Sequence, residues 1–299
     1  FYKRNFKNYN KKIYLIVNEN VLYAADNLGY LYALNLNSNS IIWAKNYGIP
    51  FRSNLKFANN AIFLASQDNV IYSIKPDTGD KSWQFATTTT FLKADFENNI
   101  AVDQINNNLF FLNTSGELYS INYENQKLNW VLNFKNSSLV GDTDLFLSQP
   151  IVIKNNNLIV STEKAILSYD TLTGRKNWNL FVETIVKPIV TTRYSYIISS
   201  NNLLICVDNN NGEVVWSKNF FRNIKKKIEL KFGSIIDFKI VNNEINIYSK
   251  NGYLLSYNPN NGKLISLSRI NKNGIHSKIF FLNENMFFVD NDNKLLKFN

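Results

Sequence analysis

Cysteine, histidine and long apolar runs are almost missing from this chain, and each shortage excludes a class of function. Its 299 residues hold one Cys and one His. Cys206 stands alone in an apolar run, so no intrachain disulfide or thiolate metal cluster can form, and it reads as a small buried hydrophobe. His276 sits in the Asn-rich segment 271–277. One imidazole excludes zinc sites with several His and a two-His relay. A Ser-His-Asp triad would have to use this loop residue, without a G-x-S-x-G elbow to present the serine. No G-x-G-x-x-G or Walker A motif occurs. No apolar stretch approaches 18 residues, so no helix is expected to cross a membrane.

What the chain does contain is strand-forming. Aromatic residues make up 14%, with 22 Phe and 16 Tyr, beside abundant Ile and Leu. Asn accounts for 51 positions and gathers in short turns, where it tolerates the left-handed backbone that tight hairpins require. Residues 195–220 show the pattern: an apolar run, Asn201-Asn202, a second run ending at Asp208, the turn Asn209-Asn210-Asn211-Gly212, and a third run carrying Trp216. Three strands and two turns are predicted there.

The same unit recurs. Trp43, Trp83, Trp130, Trp178 and Trp216 stand 40, 47, 48 and 38 residues apart, a period that means a propeller or a solenoid. A sixth copy places Ser266 where the others have Trp. A seventh, ending the chain, has three strands. Residues 1–6 resemble the fourth strand of the other copies, which predicts that the N-terminus completes the last blade and closes a ring. The expectation is an all-β, seven-bladed propeller of four-stranded blades, one domain over 1–299. An open stack would need capping repeats, which are not visible. The Trp positions read as packing between neighbouring blades rather than as a ligand cage.

Net charge is +10, with basic clusters at Lys3, Arg4, Lys7, Lys11 and Lys12 and at Arg222, Lys225, Lys226, Lys227 and Lys231. Such clusters suit nucleic acid or an anionic membrane. With no nucleic-acid motif beside them, a solvated surface is the preferred reading. Three connections between copies are long: 86–98, 135–148 and 221–234. The first two carry apolar tips, Phe91, Leu92, Leu145 and Phe146, expected to be exposed and to serve a partner. Asp142 and Asp144 could ligate calcium but lack an EF-hand frame. A paired-carboxylate glycosidase stays open, since spacing gives no distances across a propeller.

The pattern L-Y-A-L-(D/N)-x-x-x-G-x-x-x-W stands here as Leu31-Tyr32-Ala33-Leu34-Asn35 to Trp43, Ile71-Tyr72-Ser73-Ile74-Lys75 to Trp83, and Leu204-Ile205-Cys206-Val207-Asp208 to Trp216. It resembles the PQQ-like propeller repeat across essentially the whole chain, a repeat specific for fold and weak for function. Within that superfamily the chain looks most like the BamB family, lipoprotein subunits of the outer-membrane β-barrel assembly machinery, as in Val21-Leu22-Tyr23-Ala24-Ala25-Asp26 of the first copy. The resemblance implies a non-catalytic periplasmic scaffold without a cofactor. It would bind the barrel-assembly protein BamA, and through the complex unfolded outer-membrane clients, with no nucleic-acid partner.

In that family the BamA surface uses a Leu-Arg pair and an Asp-x-Asp. Leu92-Lys93 would match the first, with Lys for Arg, and Asp142-Thr143-Asp144 the second. Typical members have eight blades, against seven here, which suggests a shortened homologue. The lipidated Cys is not in this chain, whose start at Phe1 suggests trimming, so the anchor would lie outside it. A quinoprotein dehydrogenase of the same superfamily is the rival. It would need a calcium site and a quinone pocket, for which this chain has no insertions. A periplasmic interaction propeller with another partner is the third reading.

Overall fold

The computed structural model describes residues 12–90, 98–135, 146 and 148–298. The fold divides into two compact units, one of Phe1–Ile153 with Thr171–Gly174, the other of Lys154–Asp170 with Arg175–Asn299.

In the first unit, sheet one is β1 (Ile13–Asn18), β2 (Val21–Asp26), β3 (Tyr30–Asn35) and β4 (Ser40–Asn46). Sheet two is β5 (Lys56–Ala58), β6 (Ala61–Ala65), β7 (Val70–Ile74) and β8 (Lys81–Ala86). Sheet three is β9 (Asn99–Asp103), β10 (Asn108–Leu112), β11 (Glu117–Asn122) and β12 (Lys127–Asn133). Sheet four begins with β13 (Gln149–Lys154). It continues in the second unit with β14 (Asn157–Ser161), β15 (Ile166–Asp170) and β16 (Lys176–Leu180). Sheet five is β17 (Ile189–Val190), β18 (Tyr194–Ile198), β19 (Leu203–Asp208) and β20 (Val214–Asn219). After the helix α1 (Lys226–Phe232), sheet six is β21 (Ile235–Val241), β22 (Glu244–Ser249), β23 (Tyr253–Tyr257) and β24 (Leu264–Arg269). Sheet seven is β25 (Phe280–Leu282), β26 (Asn285–Val289) and β27 (Leu295–Phe298).

Strands lie in chain order within each sheet, six sheets having four strands and the last three among the described residues. These are the blades of a β-propeller. The predicted closing strand, residues 1–6, lies outside the described residues.

The turns explain the Asn. Eleven of the fourteen non-Gly residues with positive φ are Asn among the described residues. Asn59-Asn60 and Asn242-Asn243 have positive φ at both central positions, as a type I′ hairpin demands. Central strands β6, β10 and β14 are almost wholly buried, which is why their sequences run apolar instead of alternating.

The Trp repeat has one physical origin. Trp43, Trp130, Trp178 and Trp216 each donate the indole N–H to a backbone carbonyl in the next copy: Pro76 at 2.7 Å, Thr171 at 3.2 Å, Asn209 at 2.8 Å and Pro259 at 3.1 Å. Three residues beyond each carbonyl stands Gly79, Gly174, Gly212 or Gly262. A Cβ on any of these would lie 2.6–2.8 Å from the ring or its Cβ. Each of these glycines also has φ of 65–76°, so the turn and the indole both require that no side chain be present. Third-copy Gln126 takes the same backbone shape at φ 61°.

Opposite each Trp on the neighbouring strand is a small residue: Ala33, Ser73, Ser120, Ser168 and Cys206, followed each time by a register shift. Ser256 opposite Ser266 keeps the pattern in sheet six. Cys206 therefore fills a slot reserved for small side chains.

The segment 221–234, expected as a loop, contains α1. Ile224, Ile228 and Phe232 recur at intervals of four and pack into the core of sheets five and six. That spacing is the helical signal. Lys225 supplies no side-chain cap, so the usual start marker is missing.

Candidate interaction site at the stems of two long loops

The described stems of the two loops that sequence singles out meet at one place in the first unit. The turn Asn113–Gly116 joins β10 to β11, and both stems are hydrogen-bonded to it or to its neighbour Asn69. On the first stem, the Thr87 hydroxyl donates to the Asn69 carbonyl at 2.8 Å and accepts from Asn113 Nδ2 at 3.1 Å. Asn69 Nδ2 donates to the Thr88 carbonyl at 2.9 Å. Asn69 Oδ1 accepts from the Thr114 backbone N–H and hydroxyl at 3.3 and 3.1 Å. On the second stem, the Phe146 N–H donates to the Thr114 carbonyl at 2.9 Å. The ends of the loops are held too. Asn98 Nδ2 reaches the Ser66 carbonyl at 2.9 Å, and Asn99 Nδ2 reaches Ser148 Oγ at 2.5 Å.

Asn69, Asn113, Thr114 and Ser115 are all buried, and buried amides need such partners. Asn113 Oδ1 accepts from Ser115 N–H, Ser115 Oγ and Glu117 N–H. Its Nδ2 also reaches Glu117 Oε2 at 3.1 Å, where Tyr119 OH donates at 2.7 Å. Burial raises the Glu117 carboxyl, but donation from Tyr119, Thr88, Asn113 and Ser115 outweighs it, and the pKa is lowered. Tyr119 OH is pushed up, first by burial. A bracket of hydrogen-bonded polar side chains thus holds the two stems.

Phe146 corrects an expectation. Instead of standing exposed, it is 3% accessible, stacked on Phe134 with ring centroids 5.7 Å apart and pressed over Gly116. It pins the loop instead of advertising it. Leu92, Lys93, Asp142 and Asp144, like Phe91 and Leu145, lie outside the described residues. Sequence reasoning missed Asn69 and Asn113. No sequence signal singles them out, because polar turns like Ser66-Gln67-Asp68-Asn69 and Asn113-Thr114-Ser115-Gly116 recur between strands throughout the chain.

Among the described residues no group of three or more His, Cys, Asp or Glu comes together as a metal site. His276 is exposed on its loop, with its backbone N–H on the Val289 carbonyl at 2.8 Å. Cys206 is buried, and burial, then the Asp208 charge, raises its thiol to about 11. It is neutral and inert at neutral pH.

Repeated four-stranded sheets locked by tryptophan against a glycine turn define a β-propeller of PQQ-like repeats. A family model described as outer membrane protein assembly factor BamB matches residues 11–218, and the chain belongs to that family. Among solved structures, BamB from Moraxella catarrhalis aligns with a TM-score of 0.74 at 13% identity, over 96% of this chain and 83% of that one. The computationally designed Ika8 protein aligns at 0.53 and 10% identity, over 98% and 97%. Identities this low speak for the fold alone. No curated protein matches the sequence.

Proposed function

We propose that this chain is a non-catalytic scaffold of the machinery that inserts β-barrel proteins into an outer membrane. As one propeller domain over 1–299, it holds the periplasmic region of a BamA-like protein through the loops 86–98 and 135–148. Lys93, Asp142 and Asp144 are its polar anchors and Leu92 its apolar one. Unfolded outer-membrane proteins are the clients of the whole complex. The chain works on the periplasmic side, attached through a lipid anchor outside these residues.

The observation that carries this reading is the shared bracket. Both stems are fixed to the turn Asn113–Gly116, through Thr87 on one side and Phe146 on the other. Two loops held at a common base can present a composite surface without a large ordering cost on binding. Membership of the BamB family supports the choice of partner.

Reversing both acidic anchors tests it. Asp142→Arg with Asp144→Arg should weaken capture of the BamA-like partner at least about a hundredfold, since like charges set against a complementary patch cost several kcal/mol. The melting temperature should stay unchanged. Undiminished capture by the double variant removes these residues from the interface.

A further inference from the structure

The positive charge of the chain is concentrated in one stretch. Between residues 218 and 272 stand eleven Lys and Arg against three Asp and Glu, a local net of +8 beside +10 for all 299 residues. Two of those carboxylates are engaged within the stretch. Glu229 pairs with Lys226 at 3.0 Å, and Asp237 lies 3.4 Å from Lys239 while accepting the Phe238 and Ile279 N–H groups.

The structure gathers part of this charge around a hollow. A cavity of about 380 Å³ between the end of α1 and the end of β24 is lined by Lys231, Arg269 and Lys272 and by no carboxylate. Two acids stand behind it on Asn273: Asp292 accepts from its amide at 2.9 Å, and the buried Asp290 carboxyl is also hydrogen-bonded by it. Arg269 is set in place: its guanidinium lies 5.2 Å from the Tyr253 ring centroid, and Nη2 donates to the Lys272 carbonyl at 3.0 Å. Asn251 Nδ2 holds the Lys231 carbonyl at 2.9 Å, fixing the end of the helix. A second hollow, about 470 Å³, repeats the chemistry with Lys218, Arg222 and Lys263 and again no carboxylate. Cations held together without counter-charge favour an anion.

We propose that the Lys231–Arg269–Lys272 hollow takes the phosphate headgroup of an acidic phospholipid, and that the chain docks on anionic membrane surfaces through it. Leu230, on the rim beside Lys231, is 77% exposed. An exposed Leu among flexible cationic stems suits a membrane interface, where the apolar tip enters the acyl boundary and the amines hold headgroups. Nucleic acid fits less well. Single-strand binding uses exposed aromatic faces for bases, but Tyr253 and Tyr257 at the two hollows are 8% and 2% accessible, and Arg269 covers the first.

The test is sedimentation of the full chain with phosphatidylcholine vesicles, with and without phosphatidylglycerol. Binding is expected only with phosphatidylglycerol, weakening as salt rises. At about fivefold per cation near the surface, Lys231→Gln with Arg269→Gln and Lys272→Gln should lose about a hundredfold. Lys75→Gln with Lys127→Gln and Lys154→Gln, which leaves the same net charge, should lose less than about tenfold, and Leu230→Ser should weaken binding with the salt slope unchanged. If the first triple variant misfolds by circular dichroism, Lys231→Gln with Lys272→Gln keeps the Arg269–Tyr253 stack and should lose about 25-fold.

Equal losses in the two triples, or none in the first, overturn the proposal. So does a hollow that takes soluble glycerophosphate as tightly as vesicles, or a polyglutamate peptide in their place. No partner protein is in the tube, so this outcome is separate from the fate of the assembly reading.

Discussion

Removing the indole of Trp178 or filling the space it occupies should reveal how the blades are held. Trp178 is 5% exposed, donates to the Asn209 carbonyl at 2.8 Å, and covers Gly212, whose added Cβ would lie 2.6 Å from the Trp178 Cβ. Trp178→Ala should cost about 3–5 kcal/mol, the usual range for a buried Trp. Trp178→Phe keeps most of the ring and loses the hydrogen bond, so about 1–2 kcal/mol is expected. Gly212→Ala costs about 1–2 kcal/mol for its left-handed φ of 76° and about 1–3 more for overpacking against the indole. Trp178→Ala keeps the Cβ contact but removes those to Cγ and Cδ2 at 2.7 and 2.9 Å, so only that part of the overpacking depends on the indole.

The double variant should therefore be more stable than the two single losses added together, by about 1 kcal/mol, the lower end of the overpacking range. Chemical denaturation of the four proteins gives this coupling directly. Thermal midpoints should fall by about 2 °C per kcal/mol for a chain of this size. Strict additivity would refute the idea that this glycine exists to admit this tryptophan.

Three further outcomes follow from the same geometry. Gln126→Gly should raise stability by about 0.5–1 kcal/mol, since Gln126 takes at φ 61° the backbone shape that glycine supplies in four other copies; a lower midpoint would contradict it. Cys206 should resist a thiol reagent at pH 7–8 in the folded protein and react on unfolding, because burial raises its thiol to about 11; fast labelling of the native state would be the contrary result. The lowered Glu117 carboxyl contributes stability that is present above its ordinary value of 4.5 and lost as pH falls through the folded value. Glu117→Gln should flatten the denaturation midpoint against pH in that acid window, and an unchanged slope would show that the bracket does not depend on the charge.

Much of this was legible in the sequence because it is written several times over. The Trp spacing and the Gly-closed turn follow from one local packing problem solved repeatedly, and the small residue opposite each Trp became visible only with the strand register. Ser266 was placed correctly by register although the ring is gone. What escaped was specific to single copies. The helix α1 hid among three consecutive lysines with no cap, although Ile224, Ile228 and Phe232 carried its period. Phe146 looked like a loop tip because chain position does not tell whether a ring folds back, and here it returns over Gly116. Asn69 and Asn113 were indistinguishable from the many turn Asn until burial set them apart.

Holding a barrel-assembly protein, with no chemistry on a quinone, is the role proposed for this chain. The most direct measurement mixes the purified chain with the soluble periplasmic region of a BamA-like protein and follows association by analytical ultracentrifugation. A one-to-one complex is expected, which the Asp142→Arg, Asp144→Arg variant fails to form. Two species sedimenting independently, together with a new absorbance band when the chain alone is given pyrroloquinoline quinone and calcium, would contradict it.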